Sequence, residues 1–101
     1  MSFWVYILQC SDGSYYTGHT DNLEIRVAEH QQGTFKGYTS TRLPVKLVFC
    51  DYFQTRDDAF TRERQIKGWS HRKKQAFISE DWGKLVEYSR GKRNNPSTSS
   101  G

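Results

Sequence analysis

Residues 3–8, Phe-Trp-Val-Tyr-Ile-Leu, form an unbroken run of aromatic and aliphatic side chains. Strand period two sends Trp4, Tyr6 and Leu8 to one side and Phe3, Val5 and Ile7 to the other. A strand apolar on both sides needs cover on both sides, so this segment is expected at the centre of a sheet. Ser11-Asp12-Gly13-Ser14 is a turn cluster, and aromatic and β-branched residues resume at Tyr15. The pair is expected to form a β-hairpin, with Tyr6 able to point into the floor of a pocket.

Beyond the hairpin the periodicity changes. His19-Thr20-Asp21-Asn22 offers cap residues, and Leu23, Val27 and His30 then recur at helical spacing. Arg26 and His30 are four apart and so share a helix face. Residues 33–44 read as a polar loop carrying Lys36 and Arg42, and residues 45–53 as a third strand. Thr55 opens a capped helix, with Asp58 three positions on, and Ala59, Phe60, Ile66 and Trp69 supply its apolar positions. Gly68 and Ser70 interrupt it, a further helix follows through Ala76, Phe77 and Ile78, and Trp82, Leu85 and Val86 suggest a last short one. We expect one folded domain over residues 1–89 and a disordered basic tail over 90–101, rich in Ser, Thr and Asn.

The chain has 101 residues, enough for one core and too few for two. No apolar run reaches the length of a bilayer span, and the first residues lack the basic start and cleavage site of a signal peptide. A cytoplasmic protein without a membrane partner is therefore expected. Cys10 and Cys50 have no metal-ligand or redox spacing and read as buried, reduced thiols. The formal charge of +4 looks like a nucleic-acid signal. Yet Arg90, Lys92 and Arg93 lie in the tail after all eleven acids, so residues 1–89 hold twelve basic groups against eleven acidic ones, a net of +1. What remains is local: residues 62–74 hold Arg62, Arg64, Lys67, Arg72, Lys73 and Lys74 with His71, against the lone acid Glu63.

Tyr6, Tyr16, Arg26, His30 and Glu63 together can fill the roles that cutting a phosphodiester requires. These are a proton acceptor for water, a cation for charge building on the phosphoryl oxygens, and an oxygen ligand for a divalent metal. Taken singly each has a plainer reading. Tyrosines in strands pack, His30 caps or fills a core, Arg26 is a surface charge, and Glu63 pairs with Lys67 at i,i+4.

The ordered set Trp4-Val5-Tyr6, Tyr16-Thr17-Gly18, Arg26, His30 with Gly33, and Glu63 resembles the GIY-YIG nuclease superfamily. Val5-Tyr6-Ile7-Leu8-Gln9-Cys10, Leu47-Val48-Phe49 and Glu63-Arg64-Gln65-Ile66-Lys67 extend the likeness to its small single-domain bacterial proteins of the UPF0213 type, over about residues 3–80. Trp4 and Val5 stand where the superfamily pattern has glycine and isoleucine, and Thr17 where it has isoleucine. The resemblance implies an α+β (α/β-class) fold, a central three-stranded antiparallel sheet flanked by helices in the order β-β-α-β-α-α, in agreement with the pattern read above. It also implies that the five residues converge on the sheet surface. Tyr6 is expected as the base with Tyr16 as the alternative, Arg26 on the nonbridging oxygens and His30 on water, a proton or phosphate. Glu63 would ligate Mg²⁺ or Mn²⁺, weakly in the absence of substrate. His19, Lys36, Arg42 and Lys67 are expected to contact nucleic acid, and Phe35, Tyr38 or Trp69 could stack on bases.

The leading expectation is a metal-dependent endonuclease acting on DNA, with RNA also open, selecting structure more than sequence or drawing specificity from a protein partner. The alternatives are a nucleic-acid-binding module with weak or no turnover, and a protein-interaction domain built on the same scaffold.

Overall fold

The computed structural model describes residues 2–80. The helix expected around Trp82, Leu85 and Val86 and the tail at 90–101 lie outside the described residues. The chain runs β1 (Phe3–Gln9), β2 (Tyr15–Thr20), α1 (Leu23–Gln32), a single 3-10 turn (Thr39–Thr41), β3 (Lys46–Phe53), α2 (Arg56–Lys67) and α3 (His71–Glu80). It is an α+β fold of three antiparallel strands and three helices, in the expected order. The sheet order is β2-β1-β3, so the strand that is apolar on both sides is the central one.

Each face of β1 has its own core. Tyr6, Leu8 and Cys10 pack with Leu23, Val45 and Cys50 under α1, with Trp4, Tyr16, Val27 and Leu47 at the margin. On the opposite face Phe3, Val5, Ile7 and Phe49 meet Ala59 and Ile66 of α2. Phe77 closes that side against Phe49 and Trp69, each at 4.8 Å between ring centroids, which anchors α3. Val5, Tyr6, Ile7 and Leu8 have no accessible surface. Burying a side chain of this size is worth about 1.5–3 kcal/mol, so β1 contributes heavily to the fold's stability.

A bulge interrupts the β1–β3 ladder, with Ile7 opposite Phe49 and Leu8 opposite Leu47. Val48 is the extra residue, and Val48 and Phe49 both turn toward the α2 side. The alternation expected across residues 45–53 is therefore broken once.

Local signals set the helix ends. The Asn22 side chain accepts from Ile25 N–H, and the Thr55 hydroxyl accepts from Asp58 N–H, each occupying one of the helix donors that lack an internal partner. Gly33 ends α1 in the left-handed region at φ 78°, where a side chain is strained. Both cysteines are free and buried, as expected. Burial pushes the Cys50 thiol up to about 11 and raises that of Cys10 as well, so neither is a nucleophile at neutral pH. Among the described residues no helix is long and apolar enough to cross a membrane.

One expectation within α2 is corrected. Phe60 is not a core position but stands 45% exposed. The buried face of α2 is Ala59, Glu63 and Ile66, spaced four and three apart, and Phe60 falls off that stripe.

Candidate active site

The β1–β2 register places Tyr6 opposite Gly18 and Leu8 opposite Tyr16, so both tyrosines lie on the α1 face. Gly18 is required by the approach of Tyr6. A Cβ there would stand 2.6 Å from the Tyr6 hydroxyl oxygen, 2.8 Å from Cζ and 3.2 Å from Tyr16 Cε2. The phenol thus runs directly over the strand backbone.

From α1, His30 reaches the same point. Its Nε2 lies 3.0 Å from the Tyr6 hydroxyl and its Nδ1 2.7 Å from Thr39 Oγ1. Burial lowers the His30 pKa to about 4, and the Arg26 cation pushes the same way, so the ring is neutral at pH 7. A neutral imidazole donates through one nitrogen and accepts through the other. A phenol is the stronger donor of the two hydroxyls, so we assign Tyr6 O–H donating to Nε2 and Nδ1–H donating to Thr39. Tyr6, His30 and Thr39 are all fully or almost fully buried. Burial raises the Tyr6 phenol above its ordinary range, the Tyr16 phenol adds to this, and the Arg26 guanidinium opposes it without prevailing. Tyr6 is thereby kept protonated and away from water.

Tyr16 covers this buried relay and is itself only part-buried. Its ring lies 5.1 Å from that of His30, 6.3 Å from that of Tyr6 and 6.3 Å from that of Tyr38. Arg26 is held by Glu29 at 3.3 Å and lies over the Phe35 ring at 4.7 Å, within electrostatic reach of both Tyr6 and His30.

Glu63 comes from the opposite side of the sheet. It is buried on the inner face of α2, 6% exposed, with Oε1 bonded to Nδ1 of His19 and Oε2 to Lys67 Nζ at 2.7 Å. His19 pairs with Val5, and so projects from the face of β2 opposite Tyr16 and Gly18. The five residues therefore do not share one sheet surface. Tyr6, Tyr16, Arg26 and His30 gather on the α1 face and Glu63 with His19 and Lys67 on the α2 face, the two groups meeting across edge strand β2. Their separation is small enough that the Glu63 charge contributes to raising the Tyr6 phenol.

All of these residues fall within residues 2–76, which match the GIY-YIG catalytic domain family. This chain belongs to the GIY-YIG superfamily. Its relatives place it in the UPF0213 group. The UPF0213 protein of Haloquadratum walsbyi is 47% identical over 77 residues, 76% of this chain and 86% of that one. The UPF0213 protein of Staphylococcus saprophyticus is 43% identical over 77 residues, 76% of this chain and 94% of that one. Among solved structures, the UPF0213 protein of Bacillus halodurans matches with a TM-score of 0.56 and 34% identity, covering 93% of this chain and all of that one. A protein of E. faecalis matches with a TM-score of 0.51 and 30% identity, each chain covered to 94%. The family is one of nucleases.

GIY-YIG nucleases use a divalent ion, and among the described residues no three metal-ligating side chains gather. Among the described residues the donor at this site that fits such an ion is Glu63. Its carboxylate is buried, fixed in direction by α2, and paired with His19 and Lys67, as a buried carboxylate must be. Lys67 is half exposed and can swing aside. One carboxylate suits Mg²⁺ or Mn²⁺, which retain water and take substrate phosphate as further ligands.

Of the cations expected to meet nucleic acid, His19 and Lys67 stand on Glu63. Lys36 is exposed in the loop after α1. Arg42 is committed elsewhere, with Nε 3.2 Å from Asp12 Oδ2, Nη1 2.8 Å from the Tyr38 carbonyl and its guanidinium 3.8 Å over the Tyr38 ring. Part of the basic stretch also has a packing role: Arg62 lies over Trp69 and Phe77, and Lys73 lies 4.5 Å over Trp69. Thr39 escaped the sequence reading because a loop residue nine positions after His30 carries no periodic signal. Phe60 escaped it because it was grouped with the apolar residues of α2; projecting Ala59, Glu63 and Ile66 onto one helix face exposes the misfit.

Proposed function

We propose that this protein is a metal-dependent endonuclease that hydrolyses phosphodiester bonds in DNA, selecting its substrate by structure. The observation that carries this reading is that a part-buried tyrosine on one face of β2 and a buried carboxylate, bonded to His19 on its other face, flank the same edge strand. Tyr16, rather than the sealed Tyr6, is the tyrosine able to touch water, and in its phenolate form it would take the proton of the attacking water. Tyr6, His30 and Thr39 form a hydrogen-bonded floor that fixes the Tyr16 ring, a positioning role. Arg26 presents a fork of donors to the nonbridging phosphate oxygens and stabilises the charge that grows there. Glu63 holds the divalent ion, which when bound supplies Lewis-acid polarisation of the phosphate. Lys67, displaced from Glu63, is left to meet the phosphate next along the strand.

A domain of this size reads few bases, which supports selection of flaps, branches or single strands, or delegation of specificity to a protein partner. The engagement of both Glu63 oxygens by His19 and Lys67 favours a second reading, a binding module that does not turn over. Incubation with plasmid, single-stranded, flap and branched DNA and with RNA, in Mg²⁺, Mn²⁺ or EDTA, decides between them. Cutting of a subset of the DNA substrates that EDTA abolishes is the expected result. Salt-sensitive binding without cutting in any metal would establish the module instead.

A further inference from the structure

Phe60 is an anomaly in its surroundings. It is 45% exposed on a helix otherwise lined outward by Arg56, Asp57, Asp58, Arg64 and Lys67, and it stands three residues before Glu63. Its ring meets that of His19 edge-on, at 5.5 Å and 61°, and His19 is the side chain bonded to Glu63. The Arg64 guanidinium lies above it at 5.7 Å from the ring centroid. That distance is within cation–π reach of the ring, while an exposure of 45% leaves much of Phe60 open to solvent. Tyr38 on the other side of β2 contrasts with it: although 41% exposed, its ring has Arg42 at 3.8 Å over one face and Tyr16 stacked at 24°.

A phenylalanine has no hydrogen bond to offer phosphate or a groove edge. What it offers is a flat apolar face, and Arg64, exposed to solvent, can lift off that face so that a second flat ring stacks between them. We infer that Phe60, with Arg64 above it, stacks an unpaired nucleobase beside Glu63, so that the substrate strand is single-stranded where it crosses β2. This rests on the nuclease reading above and names its substrate class. A base in the slot also presses on His19 and thus on the carboxylate that must receive the ion. A paired base has both faces covered by its own neighbours and cannot enter without unstacking, which sets flaps, gaps and single strands above continuous duplex.

Binding measured in EDTA, where nothing is cut, separates this claim from catalysis. The probe is a short fluorescein-labelled DNA of mixed sequence, single-stranded or annealed to its complement, read by anisotropy against wild type, Phe60→Leu and Phe60→Trp. Leucine keeps an apolar surface without a π-face, and tryptophan keeps the face. The expected result is about a tenfold weaker Kd for the single strand in Phe60→Leu, restored in Phe60→Trp, with duplex binding unchanged by either. Single-strand affinity unaltered in Phe60→Leu, an equal loss on duplex, or no single-strand binding by wild type overturns the inference. Phe60-dependent binding without cutting once Mg²⁺ or Mn²⁺ is added would leave it standing and sink the nuclease reading instead.

Discussion

Two tyrosines that look equivalent in sequence are separated by burial alone. Tyr6 has no accessible surface and gives its hydroxyl to His30, whereas Tyr16 reaches solvent above them. Tyr16→Phe is expected to lower the cutting rate by about 10²–10⁴-fold and to change stability by no more than about 0.5 kcal/mol. Tyr6→Phe leaves the buried His30 Nε2 without a partner and should cost about 1–3 kcal/mol in urea unfolding. His30 adds a pH signature. The unfolded chain takes up its proton below about 6.5, the folded one only below about 4, so stability present above pH 6.5 is lost as pH falls toward 4. A shift of that size corresponds to about 3 kcal/mol, measured as the difference in unfolding free energy between pH 7 and pH 4 that disappears in His30→Gln. At this scale the sequence was informative about which residues matter and silent about their division of labour. Side-chain chemistry is written at Tyr6 and Tyr16; their exposure depends on His30 of α1 and on the packing around them, which come from elsewhere in the chain.

At the scale of elements, β1 was legible because an apolar run on both sides of a strand leaves it one place in a sheet. Asn22 and Thr55 marked helix starts through chemistry that acts within a few residues, and the structure uses both of them. The bulge at Val48 was not legible, since the extra residue is defined by pairing with Ile7. Nor was the division of the candidate site across β2. A motif gives the order of Tyr16, Gly18 and His19, but the face each takes is set by register, and Glu63 reaches His19 only because α2 packs on the far side. The crossing of Tyr6 over Gly18 gives β2 a specific vulnerability. Gly18→Ala drives a methyl into the phenol and against Tyr16, and overpacking of this kind costs about 1–3 kcal/mol. Thermal unfolding should show that loss. Cutting should fall further than stability accounts for at a temperature where the variant remains folded, because both tyrosines are displaced; a variant as active as wild type would mean that the close approach has no part in positioning Tyr16.

At the scale of the whole molecule, the proposed phosphate-cutting constellation is shared between two layers of a sheet and joined by edge strand β2. Net charge gave little guidance to this. Residues 1–89 carry a net charge of only +1 and several cations of residues 62–74 pack on aromatic rings, so the proposed attraction for nucleic acid is a local one, around Glu63 and α2. That the Tyr16 side and the Glu63 side work as one site is the central claim, and single-turnover cutting of a flap or single-stranded DNA tests it through Tyr16→Phe, Glu63→Gln and the double variant. Residues acting in one step are grossly non-additive, so each single change should remove nearly all the activity and the double should fall no further. Losses that multiply, or cutting that survives in either single variant, would contradict a site built across the strand.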